Sequence, residues 1–246
     1  MKGKLYFALL WLLAATAMAQ KAGIKTIRTQ RIEITSAFDT NAETETAAII
    51  SKYKEKVDDV ISPTLGLCLN AMDAKKPESL LGNWAADVMV ETSTATGMEK
   101  ADMGLFNIGG LRSSMPEGVV RAGDIYNISP FENHVVVLEM KGKHVAELMR
   151  NIAAVMGEGV SAGVRMEISA EGELLHATID GKPIDRKKTY RIATIDYLAE
   201  GNDKMYALKK HKTLHHMGIL AREAMIESII KNRTIGNKIE GRIVIK

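Results

Sequence analysis

The sequence has 246 residues, of which 46% are hydrophobic and 26% are charged, and its formal net charge is +3. This size and apolar content fit one large globular domain that can bury a core. The small net charge excludes the strongly basic surface with which proteins bind nucleic acid. The single cysteine, Cys68, excludes an internal disulfide, and its apolar neighbours predict that it is buried.

The N-terminal residues have the composition of a secretory signal peptide. Lys2 and Lys4 precede an apolar run from Leu5 to Ala15, and the small residues Ala17 and Ala19 follow it. This order predicts cleavage after Ala19 and a periplasmic or secreted location. The apolar run is too short to span a membrane, and no later run is longer, so we expect no membrane span.

Hydrophobic periodicity predicts the elements in the first half of the chain. Alternating residues from Ala22 to Ala37 predict one or two strands, which form an N-terminal arm over residues 20–40. A helix is predicted from about Glu43 to Ile61, because acidic residues come early, lysines later, and Pro63 follows. The stretch TLGLCLNAM predicts a short buried strand. A second helix opens at Pro-Glu-Ser and presents one apolar face, made of Leu80, Leu81, Trp84, Val88 and Met89.

Strands and helices alternate in the second half of the chain. A strand over 103–107, a turn of helix from Asp124, a strand over 134–140 and a helix over about 143–156 are predicted. The stretches GVRMEIS, LLHATI and TYRIATIDYLA predict a meander with a hairpin turn at Asp180-Gly181. A final helix over about 217–231 and the strand EGRIVIK follow. This order predicts an α+β fold, with mixed α/β layers in which mixed sheets with hairpins are covered by helices.

Six short motifs follow one another in a recognisable order. They are E-S-x-L-G-N at 78–83 with Asp87 in the same helix, N-x-G-G-x-R at 107–112, G-D-I at 123–125, P-F-x-N at 130–133, T-Y-R-x-A-T at 189–194, and a downstream Gly-x-Asp. In this order they resemble the C-terminal domain of the secreted 5'-nucleotidase, UDP-sugar hydrolase and 2',3'-cyclic-nucleotidase family. The resemblance runs from roughly residue 48 to 245. It implies a 5'-nucleotidase C-terminal-like domain over residues 41–246, after the signal peptide (1–19) and the arm (20–40).

The family pairs this domain with a metallophosphatase domain that holds two metal ions, while the C-terminal half clamps the nucleotide. Carried over by motif position, the resemblance implies that Arg112 contacts phosphate and that Phe131 and Tyr197 stack on the base. It also implies that Asn133 hydrogen-bonds the base edge and that Asp203 holds the ribose hydroxyls. The whole implied substrate-binding set is Asn107, Gly109, Gly110, Arg112, Phe131, Asn133, Tyr197 and Asp203.

These residue types suit a nucleotide site on physical grounds as well. Each aromatic stack on a base is worth about 1–3 kcal/mol and tolerates any base, a carboxylate accepts from two hydroxyls, and arginine donates a fork to phosphate. Each residue also has a structural alternative. Arg112 could be a solvated residue after a turn, Phe131 and Tyr197 could pack in the core, and Asp203 could cap an ordinary Asx turn.

The chain departs from the family pattern at two places. The family usually has Gly-Gly-Asp-Gly-Tyr where this sequence has Gly201-Asn202-Asp203-Lys204-Met205, which leaves the backbone geometry of the loop open. The family's further arginines before the L-G-N motif are absent, and only Lys75 and Lys76 lie nearby in sequence. Lysine lacks the bidentate fork of arginine, so a thinner anion clamp is expected.

The family's two-metal chemistry requires Asp-x-His and Gly-His-x-His motifs, which these 246 residues do not contain. The spacing of His211 and His215, with His216 beside them, suits a metal, but no third ligand accompanies them. A solvated connector is the favoured interpretation of this lysine-rich stretch. We therefore expect no catalytic residue, metal or cofactor in this chain, and divalent metals on a partner chain.

Three hypotheses about function follow. In the first, the chain is the nucleotide-binding half of a split secreted 5'-nucleotidase and works in nucleotide catabolism with a separate metallophosphatase chain. In the second, it is a stand-alone exported nucleotide- or nucleoside-binding protein. In the third, the site is degenerate and the domain is an interaction module that binds no ligand.

Overall fold

The computed structural model describes residues 28–37, 43–95, 97–236 and 238–246, and the described residues form two units divided between Ile50 and Ser51. The predicted signal peptide and the arm before residue 28 lie outside the described residues. Residues 28–37 contain no strand, and Ile32 and Ile34 are exposed. The strand prediction is wrong for this stretch, since an alternating pattern forms a strand only where a neighbour completes its hydrogen bonds.

Five helices match the predicted positions within a few residues, whereas α5 (Asp196–Ala199) lies in the stretch TYRIATIDYLA, for which the strand prediction is wrong at its end. Ser79 caps the helix that opens at Pro-Glu-Ser, because its hydroxyl oxygen accepts the Gly82 N–H. No helix in the described ranges is long and apolar enough to cross a bilayer. The helices are α1 (Thr44–Ile61), α2 (Leu80–Thr92), α3 (Ala122–Ile128), α4 (Gly142–Ala154), α5 (Asp196–Ala199) and α6 (Ala221–Asn232).

The strands form three sheets, in the orders β11-β1-β3, β10-β4-β9-β2-β5 and β12-β6-β7-β8. Each sheet contains one parallel pair beside antiparallel pairs, so the predicted α+β fold with mixed sheets is confirmed. The strands are β1 (Thr64–Cys68), β2 (Met103–Phe106), β3 (Gly118–Arg121), β4 (His134–Lys141), β5 (Gly159–Val160), β6 (Val164–Ile168), β7 (Leu174–Ile179), β8 (Lys182–Pro183), β9 (Thr189–Ile195), β10 (Thr213–Leu220), β11 (Thr234–Ile235) and β12 (Ile243–Ile245).

Three strand predictions are corrected by the structure. Strand β9 does not extend the meander of β6, β7 and β8 but lies between β4 and β2, with both faces largely buried. The stretch around His215 is not a solvated connector but strand β10, in which His215 lies opposite Val137 of β4. Strand β1 is buried on one face only, because Leu67 is exposed.

The five-stranded sheet determines where the motifs meet. Strands β2 and β9 are parallel, and β4 runs antiparallel to β9. The ends of β2 and β9 and the start of β4 therefore share one edge of the sheet. The N-x-G-G-x-R motif, the P-F-x-N motif and the Gly-x-Asp loop all adjoin this edge. Functional loops commonly lie where parallel strands end.

Candidate functional site

A pocket of about 400 Å³ opens at this edge of the five-stranded sheet. Its residues come from three loops that lie far apart in the sequence. They are the eight residues for which the motif resemblance implies substrate binding, and the fold brings all of them together. The lining residues are Asn107, Gly109, Gly110, Arg112, Phe131, Asn133, Tyr197 and Asp203.

The first loop turns directly after β2 in a short 3-10 helix, Ile108–Gly110. The Gly110 N–H donates to the Asn107 carbonyl oxygen at 3.0 Å, and the Asn107 side chain folds back over Gly110. A Cβ added to Gly110 would lie 2.7 Å from Asn107 Oδ1, so a larger residue here would displace the Asn107 side chain. Gly109 faces open space, and the nearest atom to an added Cβ is Asp203 Oδ2 at 4.0 Å.

Glu158, which the sequence analysis did not identify, holds this turn from behind. Its Oε2 accepts the Ile108 N–H at 2.5 Å, and its Oε1 accepts from Lys76 Nζ at 2.8 Å. Burial raises the pKa of the Glu158 carboxyl, and the bonds from Lys76 and Ile108 partly offset that rise. Lys76 therefore neutralises a buried carboxylate.

Arg112 follows the turn and lines the pocket. Its backbone N–H donates to Ile128, and its guanidinium makes one local bond, from Nη1 to the Gly109 carbonyl oxygen at 3.1 Å. Among the described residues no carboxylate forms an ion pair with Arg112. The guanidinium therefore keeps most of its donors available to an anion in the pocket, whose one carboxylate, Asp203, forms no ion pair with it.

The second loop presents Phe131, which is 46% exposed. The backbone of this loop is bound to the start of α6, because the Ala221 N–H donates to the Asn133 carbonyl oxygen at 2.8 Å. Arg222 Nη1 lies 3.4 Å from the Pro130 carbonyl oxygen, and its guanidinium lies over the Tyr126 ring at 5.1 Å. Arg222 was missed in the sequence because no motif surrounds it.

Tyr197 lies on α5, the short helix directly after β9, and Asp203 lies in the turn that follows this helix. Tyr197 is 39% exposed, and the core-packing alternative therefore fails for its ring, as it does for Phe131. Tyr197 Oη donates to Asp203 Oδ1 at 3.0 Å, and Asn107 Nδ2 donates to Asp203 Oδ2 at 2.7 Å. The bond to Asp203 raises the pKa of the Tyr197 hydroxyl.

The Gly-x-Asp loop keeps a left-handed backbone despite its altered sequence. Gly201, Asp203 and Lys204 have φ values of 82°, 50° and 65°. Lys204 therefore adopts, at some cost in strain, the conformation for which glycine is usual. Asn202 Nδ2 stabilises the loop by donating to the Tyr197 carbonyl oxygen at 2.8 Å.

Within the described ranges, no three side chains of His, Cys, Asp or Glu converge as metal ligands. His215 Nε2 lies 3.5 Å from Glu139 Oε1, on the surface of β10 and β4. The side-chain oxygens of the pocket belong to one carboxylate (Asp203), two amides (Asn107 and Asn133) and the Tyr197 hydroxyl. The Asp203 carboxylate suits hydroxyl donors, and the Asn133 amide suits a base edge.

Comparison with known proteins agrees with this fold. UshA of Salmonella pullorum is 28% identical over 163 residues, which cover 65% of this chain and 29% of that protein. A 5'-nucleotidase of Vibrio vulnificus is 31% identical over 154 residues, 60% of this chain and 28% of that protein. The chain thus spans less than a third of the length of these relatives.

Among solved structures, a 5'-nucleotidase precursor from Thermus thermophilus shares the fold. Its TM-score is 0.72 at 23% identity, and the match covers 81% of this chain and 42% of that one. The sequence profile described as "5'-nucleotidase, C-terminal domain" matches residues 60–210, a range that contains all eight pocket residues. The chain belongs to the 5'-nucleotidase C-terminal domain family.

Proposed function

We propose that this chain is the nucleotide-binding half of an exported 5'-nucleotidase and acts with a separate metallophosphatase chain in nucleotide catabolism. The observation that carries the proposal is the pocket, which joins two half-exposed aromatic rings, an arginine without an acidic partner, an amide and a carboxylate. Its volume of about 400 Å³ lies in the range of small-molecule sites. Export is proposed from the signal-peptide composition of residues 1–19.

Each group has one role in the proposed complex. Phe131 and Tyr197 stack on the two faces of the base, and Asn133 both donates to and accepts from its edge. Asp203 accepts from the vicinal hydroxyls of ribose. Arg112 binds phosphate, so a nucleotide is expected to bind more tightly than its nucleoside. The chain orients the ester, and divalent metals on the partner supply the hydrolytic chemistry.

Isothermal titration calorimetry of the chain from Gln20 with AMP and with adenosine tests the phosphate contact. In Arg112→Ala we expect AMP affinity to fall roughly ten- to hundredfold, because a charge-assisted hydrogen bond contributes about 1.5–3 kcal/mol. Adenosine affinity should change less than about twofold. The matched control is Arg150→Ala, which removes an exposed arginine with one local backbone bond. Equal losses for both ligands would contradict the phosphate role.

The partnership is tested by mixing the chain with a separately expressed metallophosphatase chain from the same source. We expect release of phosphate from AMP only in the mixture, together with a 1:1 complex in sedimentation. All eight pocket residues belong to this chain, which favours a second candidate, a stand-alone exported nucleotide-binding protein. Tight AMP binding without complex formation or activity on mixing would select that candidate.

A further inference from the structure

The Asp203 carboxylate is held by a side chain on each of its oxygens. Asn107 Nδ2 donates to Oδ2 at 2.7 Å across 96 residues of sequence, and Tyr197 Oη donates to Oδ1 at 3.0 Å. A carboxylate has about four acceptor positions, two on each oxygen. One position on each oxygen is therefore used within the chain, and one on each remains for a ligand.

Asn107 is placed for this bond and not for direct contact with a ligand. Its side chain is 4% exposed, and its Oδ1 is buried against Gly110 without a hydrogen-bond partner. The amide is therefore oriented with Nδ2 towards Asp203, since the opposite orientation would bring Oδ1 against the carboxylate. The N-x-G-G turn thus directs a donor at Asp203.

The hydroxyl of Tyr197 adds a bond that a phenylalanine ring could not make. Stacking needs only the aromatic face, so the hydroxyl is free to act on Asp203. Asp203 lies at a positive φ in a partly exposed loop, where a carboxylate without hydrogen-bond partners would sample several rotamers. The hydrogen bonds from Asn107 and Tyr197, which lie in different segments of the chain, select one of these rotamers.

We propose that Asn107 and Tyr197 are positioning residues that hold the Asp203 carboxylate ready for a vicinal diol, so that the site selects ribonucleotides over nucleotides without that diol. The inference rests on the proposed function, since it assigns a sugar preference to the same pocket. Two free acceptor positions, one on each oxygen, match two adjacent hydroxyl donors. A single hydroxyl, or none, leaves an oriented carboxylate without its partners.

Calorimetric titration of Tyr197→Phe with AMP and with 2',3'-dideoxy-AMP tests the inference. The ring is retained, so dideoxy-AMP affinity should stay within about twofold. AMP affinity should fall about fivefold, because one of two donors that orient Asp203 is lost. Asn107→Ala should lower the same AMP-to-dideoxy-AMP ratio. The matched control is Tyr206→Phe, which removes the hydroxyl of an exposed tyrosine outside the pocket and should leave the ratio unchanged.

The outcomes separate this inference from the proposed function. If the wild type discriminates AMP from dideoxy-AMP and Tyr197→Phe keeps the full ratio, the positioning role is wrong while nucleotide binding stands. If the wild type binds neither ligand, the proposed function fails. Crystal structures without ligand then test the positioning role by itself. An Asp203 side chain that occupies one rotamer in the wild type and several in Tyr197→Phe would support the positioning role. One rotamer in both would overturn it.

Discussion

Glu158 and Lys76 lie behind the turn that forms one wall of the pocket. The ion pair joins residues 82 positions apart, and Glu158 is almost fully buried. A buried carboxylate is costly unless it is paired and hydrogen-bonded. Glu158 has both a cation and the Ile108 N–H as partners, so its ionisation state and the geometry of the turn are linked.

The raised pKa of Glu158 predicts a pH dependence of stability. A carboxyl whose folded pKa exceeds its unfolded pKa contributes fully below the unfolded value, and its contribution is lost as pH rises through the folded pKa. In denaturant titrations between about pH 4 and 8, the wild type should lose unfolding free energy relative to Glu158→Gln. Lys76→Met should enlarge this loss, because it removes the cation that lowers the pKa of the Glu158 carboxyl. The exposed Glu171→Gln serves as control, and parallel curves for the wild type and Glu158→Gln would contradict the prediction.

Residue types alone do not determine the backbone geometry of the Gly-x-Asp loop. The change of a usual glycine to Lys204 left the backbone geometry open in the sequence, yet Lys204 keeps a φ of 65°. The strain at one residue is offset by hydrogen bonds that Asn202 and Asp203 make elsewhere in the loop. Such compensation depends on contacts in space, which a comparison of residue types does not contain.

At the scale of elements, helix α2 lies directly on strand β2. A Cβ added to Gly104 would lie 2.1 Å from the Ala86 carbonyl oxygen and 2.9 Å from Val90 Cγ2. Helix α2 cannot move away from β2 without disturbing the packing of the buried residues on its other faces. The distance between this helix and the strand that leads into the pocket is therefore set by the absence of a side chain at residue 104.

This close approach predicts a large effect of one methyl group. Gly104→Ala should lower the free energy of unfolding by about 3 kcal/mol, because overpacking forces the backbone to shift. Gly118→Ala is the matched control, since an added Cβ there meets nothing within 4 Å and its φ of 96° leaves only backbone strain. That strain costs about 1–2 kcal/mol. Chemical denaturation that gave equal losses for the two variants would contradict the packing argument.

The helices could be predicted from the sequence because their signals are local. The cap at Ser79 and the apolar face of α4 are read within a few residues. The neighbours of a strand are not local, and TYRIATI was assigned to a meander although it pairs with β4 and β2. In β10 the two adjacent histidines and the nearby lysines obscure a strand pattern, whose apolar residues are Leu214, Met217, Ile219 and Leu220.

At the scale of the whole molecule, the E-S-x-L-G-N motif joins α2 to the segment that leads into β12. Glu78 accepts three N–H donors, from Asn83 Nδ2 at 2.7 Å and from the backbone of Glu240 and Arg242 at 3.0 Å each. Arg242, with a side chain only 2% exposed, binds both carboxylate oxygens of Asp87. The motif is therefore structural, and it fixes the strand β12 region against the helix.

Arg242→Met should lower the free energy of unfolding by about 2–3 kcal/mol, because it leaves the partly exposed Asp87 carboxylate without its charged partner. Lys231→Met is the matched control. It breaks an ion pair between an exposed lysine and Glu91, and a surface pair contributes at most about 1 kcal/mol. Thermal and denaturant unfolding measure the loss of unfolding free energy in both variants. A small effect of Arg242→Met would mean that water or another group replaces the guanidinium.

The pocket residues could be identified because the motifs carry them in a fixed order. The residues that support the pocket could not. Glu158 lies 50 positions from Ile108, and Arg222 lies 91 positions from Phe131. Each contact exists only because the five-stranded sheet and α6 bring distant segments together, and a lone glutamate or arginine in the sequence gives no sign of it.

The bonds of Glu78 also bear on how the chain is made. Synthesis proceeds from the N-terminus, so helix α2 is complete long before Glu240 and Arg242 exist. Until those residues arrive, the carboxylates of Glu78 and Asp87 lack their main partners, and the helix cannot be buried without a penalty. We therefore expect that a chain ending before Glu240 would leave this side of α2 without its partners, and that the core closes here only once Glu240 and Arg242 are present.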